Sequence, residues 1–232
     1  STDSYQRMLG NLAFTLSLYS GQMCTTSQAL FVPASGIDTD EGHKSFDEFC
    51  ADLGEAVSKF LSKPEVALAI LGAIRSPDTL QRITQANSGK LGKVVLASTK
   101  LDNPDFPQAQ VHSPVLLACD VSNEASYGHE CFGPISFIVK TPDTQASIQR
   151  SQQLVNTQGA LTVGVYSTRA DVIDAMTDAS LNAKVALSIN LTGGVFVNQS
   201  AAYSDFHGTG GNPAANASYT DAAYVANRFV VV

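Results

Sequence analysis

The sequence is poor in basic residues, and this lack narrows the classes of partner that it can bind. It has 14 Lys and Arg against 21 Asp and Glu, for a formal net charge of −7. Nucleic acids and anionic membranes are bound by clustered Lys and Arg, so neither is expected as a partner. No apolar run approaches the roughly 18 residues that a membrane-spanning helix needs. No basic segment precedes an apolar one at the N-terminus, so no signal peptide is indicated.

Cysteine is also scarce. Four cysteines in 232 residues are too few for a disulfide scaffold, and none belongs to a CxxC pair. One histidine, His129, lies close to Cys131 in the sequence, which is too little to predict a metal site. Three glycosylation sequons occur, but without any sign of secretion we interpret them as chance. A reducing cytoplasm is the simplest compartment for such a chain.

Apolar residues make up 44% of the chain and charged residues 15%, which is ample material for a buried core. Helical and strand patterns alternate along it. Predicted helices cover residues 5–18, 46–61, 76–86, 142–155 and 170–181, and predicted strands cover residues 26–32, 93–97, 114–119, 135–139, 161–166, 185–189, 195–197 and 229–232. Ser45 and Glu48 have the spacing of a capping box, and residues 38–44 are predicted to be a polar loop.

This alternation predicts the fold class. Several strands are apolar without a polar face, which is typical of a mostly parallel sheet covered on both sides. We therefore expect an α/β fold with three layers, αβα. Residues 1–218 are expected to form one domain. A segment rich in Gly, Asn and Ala then separates it from a C-terminal β tail, residues 219–232.

The first motif that could take part in a reaction is Gly-Gln-Met-Cys at residues 21–24. It places Cys24 in a turn between a predicted helix and a predicted strand. Such a turn can expose the sulfur, and neighbouring backbone N–H groups can lower the pKa of a thiol below about 8.5. The alternative is a small buried cysteine that only packs. Cys50 and Cys119 fall within predicted elements, so packing is the stronger interpretation for them.

Two further segments combine turn residues with reactive or binding groups. In residues 129–134, an acidic Glu130 beside Phe132 precedes a Gly-Pro turn, a combination suited to a sugar hydroxyl and a flat ring. Residues 205–211 are rich in glycine, but no Lys follows as in a phosphate loop and no G-x-S-x-G elbow exists. Both segments are also compatible with ordinary surface turns. A cysteine hydrolase is a further possibility, since four histidines could partner Cys24: His43, His112, His129 and His207.

Taken in order, these motifs resemble the catalytic half of the aldehyde dehydrogenase superfamily. A GQxC element matches residues 21–24, an ExFGP element matches residues 130–134, and a later element ending in Asn matches residues 193–198. Residues 18–26 and 194–216 are most similar to members that take part in phenylacetic acid degradation. The match departs from common members at residues 206–208, where those usually carry a Phe-Gly-Gly turn.

The resemblance implies a role for several side chains. Cys24 would be the nucleophile that attacks the aldehyde. Glu130 would bind the nicotinamide ribose of NAD or NADP, and Phe132 would pack near the nicotinamide ring. Phe206 would line the aldehyde pocket. The C-terminal strand would pair with a second subunit, giving a homo-oligomer, and no metal ion is implied.

The same resemblance implies that something precedes this chain. Members carry a dinucleotide-binding domain, a general-base Glu and an oxyanion-hole Asn before the cysteine, whereas Cys24 has only 23 residues before it. We therefore expect an excised C-terminal catalytic domain or a proteolytic remnant, which is inactive as a dehydrogenase on its own and binds NAD very weakly. Two alternatives remain open, a cofactor-independent thioesterase or cysteine hydrolase, and a non-catalytic oligomerisation piece.

Overall fold

The computed structural model describes residues 5–192. The helices are α1 (Tyr5–Ser17), α2 (Phe46–Phe60), α3 (Pro64–Ile70), α4 (Pro77–Asn87), α5 (Glu124–Tyr127), α6 (Thr144–Gln158) and α7 (Ala170–Ala183). The strands are β1 (Ala29–Pro33), β2 (Ile37–Thr39), β3 (Gly42–Lys44), β4 (Lys93–Leu96), β5 (Lys100–Leu101), β6 (Val111–His112), β7 (Val115–Asp120), β8 (Ile135–Thr141), β9 (Thr162–Val165) and β10 (Ala186–Ile189).

The central sheet has the strand order β1-β8-β7-β4. Strands β1, β8 and β7 run parallel, while β4 pairs antiparallel with β7. Strands β9 and β10 form a separate parallel pair. Two short antiparallel pairs, β2 with β3 and β5 with β6, lie outside these sheets. The predicted α/β class with a mostly parallel sheet is confirmed.

Alternate side chains of the central strands enter two different cores, because successive residues of a strand point to opposite faces. Leu116 and Ile138 pack with α1 and α2 on one face. Val115, Leu117 and Phe137 pack with α4 on the other. Both faces of the sheet are therefore covered by helices, as the unbroken apolar strand patterns predicted.

Local sequence signals account for where several helices begin. The predicted capping box is present at α2, where Ser45 Oγ accepts from the Glu48 N–H and the Glu48 carboxylate accepts from the Ser45 N–H. Helix α4 has Ser76 as its N-cap and Pro77 at its first position. The Asp143 side chain accepts from the Ala146 N–H at 2.8 Å and begins α6. Each cap satisfies a backbone donor that has no partner within the helix.

Other elements differ from the sequence prediction. Residues 38–44, expected as a polar loop, lie largely in the β2–β3 hairpin, in which the Thr39 hydroxyl donates to the Gly42 carbonyl at 2.8 Å. Four short elements, α3, α5, β5 and β6, had no counterpart in the prediction. The first strand begins at Ala29 instead of residue 26, because Thr26 still belongs to a turn. In this turn the Thr26 N–H donates to the Met23 carbonyl. Short elements leave too little periodicity in a sequence to be recognised.

Candidate active site

The thiol of Cys24 lies on the surface, between α1 and β1. Cys24 is exposed, Cys50 and Cys131 are buried, and Cys119 is intermediate. Burial raises the pKa of Cys50 to about 12 and that of Cys119 to about 11, and it also raises the pKa of Cys131. Because the thiolate is the reactive form, these three thiols are poorly suited to act as nucleophiles near neutral pH. Cys24 is thus the accessible thiol of the four.

A left-handed turn, Leu18–Gly21, follows α1 and leads to the segment that contains Cys24. Tyr19 and Ser20 have φ values of 51° and 56°, and Gly21 has a φ of 64°. Such values cost a residue with a side chain about 1–2 kcal/mol, so surrounding contacts must maintain the turn. Apolar periodicity in α1 predicts a helix here but does not predict this reversal.

The side chains of Ser20 and Gln22 maintain the left-handed turn through hydrogen bonds to backbone carbonyls. The buried Ser20 hydroxyl lies 2.9 Å from the Gly72 carbonyl oxygen and 2.8 Å from that of His112, and it can donate to either. Gly72 permits this approach, since a Cβ there would lie 3.0 Å from the Tyr19 carbonyl oxygen. The Gln22 side-chain amide also donates to the carbonyls of Tyr19 and Ala73, at 2.9 and 3.2 Å. The residues before Cys24 are thereby fixed to the body of the domain.

The left-handed turn also touches the second motif. A Cβ on Gly21 would lie 2.4 Å from the carbonyl oxygen of Gly133 and 3.0 Å from Cα of Pro134. Gly133, with a φ of 128°, is itself packed against α4, since a Cβ there would lie 2.6 Å from Cγ2 of Thr79. The structure therefore brings the GQxC and ExFGP segments into direct backbone contact, and only glycine fits at either side of it.

Glu130 and Phe132 both lie at the surface beside this contact. Glu130 is exposed, and Phe132 retains 44% of its accessible area. The Phe132 carbonyl accepts from the Thr79 hydroxyl at 3.5 Å, which ties the segment to α4. An accessible carboxylate next to an accessible aromatic face suits a ligand that carries hydroxyl groups and a flat ring.

One residue of this region was missed in the sequence analysis. The side-chain amide of Gln28 donates to the His129 carbonyl at 2.7 Å and accepts from the Cys131 N–H at 2.6 Å. Its partners lie 101 and 103 positions away along the chain. No local pattern could reveal such a contact, although its position shortly after the candidate nucleophile could have drawn attention to it.

The histidines do not assemble a dyad with Cys24 in the described part of the chain, where no hydrogen bond joins Cys24 to an imidazole. His43 pairs with Asp38 at 2.8 Å in the β2–β3 hairpin. Burial lowers the pKa of His112 on β6. His129 Nε2 lies 3.7 Å from the sulfur of the buried Cys131. His207 lies outside the described residues.

Several predicted features fall outside residues 5–192. These are Phe206, the 193–198 element, the strand at 195–197, the glycine-rich segment 205–211 and the tail 219–232. Within the described residues there is no group of three or more His, Cys, Asp or Glu side chains that could hold a metal ion. None of the helices within residues 5–192 combines the length and the apolar composition that a membrane span requires.

Known proteins provide an independent comparison. The aldehyde dehydrogenase family model matches residues 2–226, and a comparison with curated proteins finds no match. An NAD-dependent aldehyde dehydrogenase from Burkholderia multivorans has 49% identity and a TM-score of 0.86, with 97% of this chain and 40% of that chain covered.

Two more distant structures share the fold. An NAD-dependent benzaldehyde dehydrogenase from Corynebacterium glutamicum has 20% identity and a TM-score of 0.52, covering 81% of this chain and 37% of that one. An aldehyde dehydrogenase from Pseudomonas aeruginosa has 17% identity and a TM-score of 0.57, covering 80% and 35%. This chain thus spans at most 40% of the length of these three proteins. Since the family model and the Burkholderia structure both match nearly all of its residues, the chain belongs to the aldehyde dehydrogenase family.

Proposed function

We propose that this chain is the catalytic domain of an NAD(P)-dependent aldehyde dehydrogenase, with Cys24 as the nucleophile. The observation that carries the proposal is the backbone contact of Gly21 with Gly133. It places the segment that bears an exposed thiol against the segment that bears the exposed Glu130 and Phe132. This contact supports the proposal, since the segment of the candidate nucleophile lies against the segment of the candidate cofactor-binding residues.

The chemistry begins at the sulfur of Cys24. Its thiolate attacks the carbonyl carbon of the aldehyde, a C–S bond forms, and the carbonyl oxygen becomes the oxyanion of a thiohemiacetal. Backbone N–H groups, including that of Cys24, stabilise this charge by donating hydrogen bonds. Loss of a hydride from the same carbon leaves a thioester on Cys24, which water or a thiol cleaves to release the acyl product. NAD or NADP supplies the hydride acceptor when bound.

Glu130 and Phe132 are assigned to the cofactor side of the site. The Glu130 carboxylate is accessible and would accept hydrogen bonds from the ribose hydroxyls of a bound cofactor. The exposed ring of Phe132 would pack against the flat nicotinamide of a bound cofactor. Both residues belong to a segment held by Gln28 and Thr79, so their backbone is fixed before a ligand arrives. Phe206 is assigned to the aldehyde pocket from the sequence resemblance alone.

The finer assignment concerns the metabolic role and the rest of the protein. Residues 18–26 and 194–216 resemble the phenylacetic acid degradation protein PaaN, so we place the enzyme in aromatic-acid catabolism. The scarcity of cysteine favours a reducing compartment, and we place the enzyme in the cytoplasm. The chain spans 40% of the Burkholderia relative. Oxidation of aldehydes is therefore assigned to the full protein, with this domain inactive as a dehydrogenase and a weak binder of NAD by itself.

Replacement of the nucleophile tests the proposal. In the full protein, Cys24→Ala should reduce NADH formation from a panel of aromatic and aliphatic aldehydes by more than about a thousandfold, with folding retained. Cys119→Ala, at a partly buried thiol with a raised pKa, is the matched control and should stay active. Aldehyde oxidation at the wild-type rate by Cys24→Ala refutes the role of Cys24. Cys24-dependent ester cleavage without nucleotide indicates a hydrolase instead.

A further inference from the structure

Gln28 connects the segment of the candidate nucleophile to that of the candidate cofactor-binding carboxylate. It lies four positions after Cys24, and its side-chain amide bonds to the residues on either side of Glu130. The amide nitrogen donates to the His129 carbonyl at 2.7 Å, and the amide oxygen accepts from the Cys131 N–H at 2.6 Å. The first distance lies at the short end of the usual range for N–H···O bonds, and the second is slightly shorter than that range.

These two bonds hold both peptide groups of Glu130. The His129 carbonyl belongs to the peptide before Glu130, and the Cys131 N–H belongs to the peptide after it. In a parallel sheet, the N–H and C=O groups of one residue bond to the residues before and after its partner on the next strand. The side-chain amide of Gln28 makes the same pair of bonds to the residues before and after Glu130. Because the two peptide planes fix φ and ψ at Glu130, they also fix the direction in which its side chain leaves the backbone.

Gln28 is itself held in place by the central sheet. Its own carbonyl accepts from the Phe137 N–H at 2.7 Å, directly before β1 pairs with β8. The neighbouring Ser27 carbonyl accepts from the Ser136 hydroxyl at 3.2 Å. The side-chain amide therefore projects from a rigid strand entrance, and it positions the 129–131 segment relative to the rest of the domain.

We infer that Gln28 is a positioning residue that sets the orientation of Glu130 for binding the nicotinamide ribose. The inference rests on the proposed function, since Glu130 must bind the cofactor for its orientation to matter. Gln28 does not touch the reacting atoms and acts only through the backbone of Glu130. Its removal should therefore affect cofactor binding more than aldehyde binding, which a general loss of stability would not do.

The first test removes the amide while keeping the length of the side chain. In the full protein, Gln28→Met should raise KM for NAD about tenfold, with KM for the aldehyde changed less than about twofold. Backbone hydrogen exchange at Cys131 should become faster, because its N–H loses its acceptor. Gln108→Met, at an exposed glutamine far from this region along the chain, is the matched control and should change neither constant.

A second variant and a double substitution complete the test. Gln28→Glu keeps an acceptor for the Cys131 N–H but places a carboxylate oxygen against the His129 carbonyl, so it should raise KM for NAD as well. If Gln28 acts through Glu130, adding Gln28→Met to Glu130→Ala should raise KM for NAD no further.

The outcomes separate this inference from the proposed function. Additive effects of the two substitutions, an equal rise in both KM values, or unchanged exchange at Cys131 would each overturn the role of Gln28. If Glu130→Ala alone leaves KM for NAD unchanged, the assignment of Glu130 fails instead. If Cys24→Ala stays active, the proposed function fails as a whole.

Discussion

The contact between Gly21 and Gly133 can be tested by adding a single methyl group. Gly21→Ala places a Cβ 2.4 Å from the carbonyl oxygen of Gly133, and that neighbour is backbone, which cannot rotate away. It also forces a residue with a side chain to keep a φ of 64°. Both effects act on the contact that joins the two motifs of the candidate site.

The expected cost has two parts. A left-handed conformation costs alanine about 1–2 kcal/mol relative to glycine. Relief of the collision requires the backbones of the two motifs to separate, and such overpacking costs roughly 1–3 kcal/mol. We therefore expect the free energy of unfolding to fall by about 2–5 kcal/mol.

Two other glycines provide controls that separate the cost of the left-handed backbone from the cost of the collision. A Cβ on Gly10, in α1, meets nothing within 4 Å, so Gly10→Ala should stabilise the helix by up to about 1 kcal/mol. Gly42 has a φ of 100° and also meets nothing within 4 Å, so Gly42→Ala measures backbone strain without a collision. Urea unfolding is followed by circular dichroism, since the sequence contains no Trp.

The order of the three variants decides the outcome. Gly21→Ala should be less stable than Gly42→Ala, and Gly42→Ala less stable than Gly10→Ala. In the full protein, Gly21→Ala should also reduce activity, because the segments of Cys24 and Gly133 can no longer meet. A Gly21→Ala variant as stable as Gly42→Ala would show that the two backbones are not in contact and would refute the description of the site.

Three further predictions concern the thiols, a helix cap and the tail. Iodoacetamide at mildly alkaline pH should alkylate Cys24 before Cys50 or Cys119, whose pKa values are raised to about 12 and about 11, and equal labelling by mass spectrometry would contradict this. Ser45→Ala should lower the unfolding free energy by about 1 kcal/mol at neutral pH. Hydrogen bonds from Ser45 lower the pKa of Glu48. The stability that these bonds contribute is therefore present above the ordinary carboxyl pKa and is lost as the pH falls through the lowered pKa of Glu48. The Ser45→Ala deficit should therefore shrink in acid, and a deficit independent of pH in chemical unfolding would show that the Ser45 hydroxyl does not stabilise the Glu48 carboxylate. Deleting residues 226–232 should reduce the apparent mass of the oligomer in size-exclusion chromatography. An unchanged oligomer mass would exclude a subunit-pairing strand.

The sequence predicted the long elements because their signals are local. The apolar stripe of α1, the cap of α2 and the unbroken apolar runs of β7 and β8 each depend on neighbours within one or two turns. The family resemblance was also predicted from short motifs and is confirmed by the matching family model. The roles of Cys24, Glu130, Phe132 and Phe206 stay predictions.

Only the tertiary structure decided how those motifs meet. The left-handed conformation at Tyr19 and Ser20 is unfavourable for these residues by themselves and is held by the carbonyl oxygens of the Gly72 and His112 region. The bonds from Gln28 to the neighbours of Glu130 cross more than 100 positions of sequence. A sequence records which side chains are present and the preferences of adjacent residues, whereas a contact between distant backbones exists only once the sheet and helices have packed.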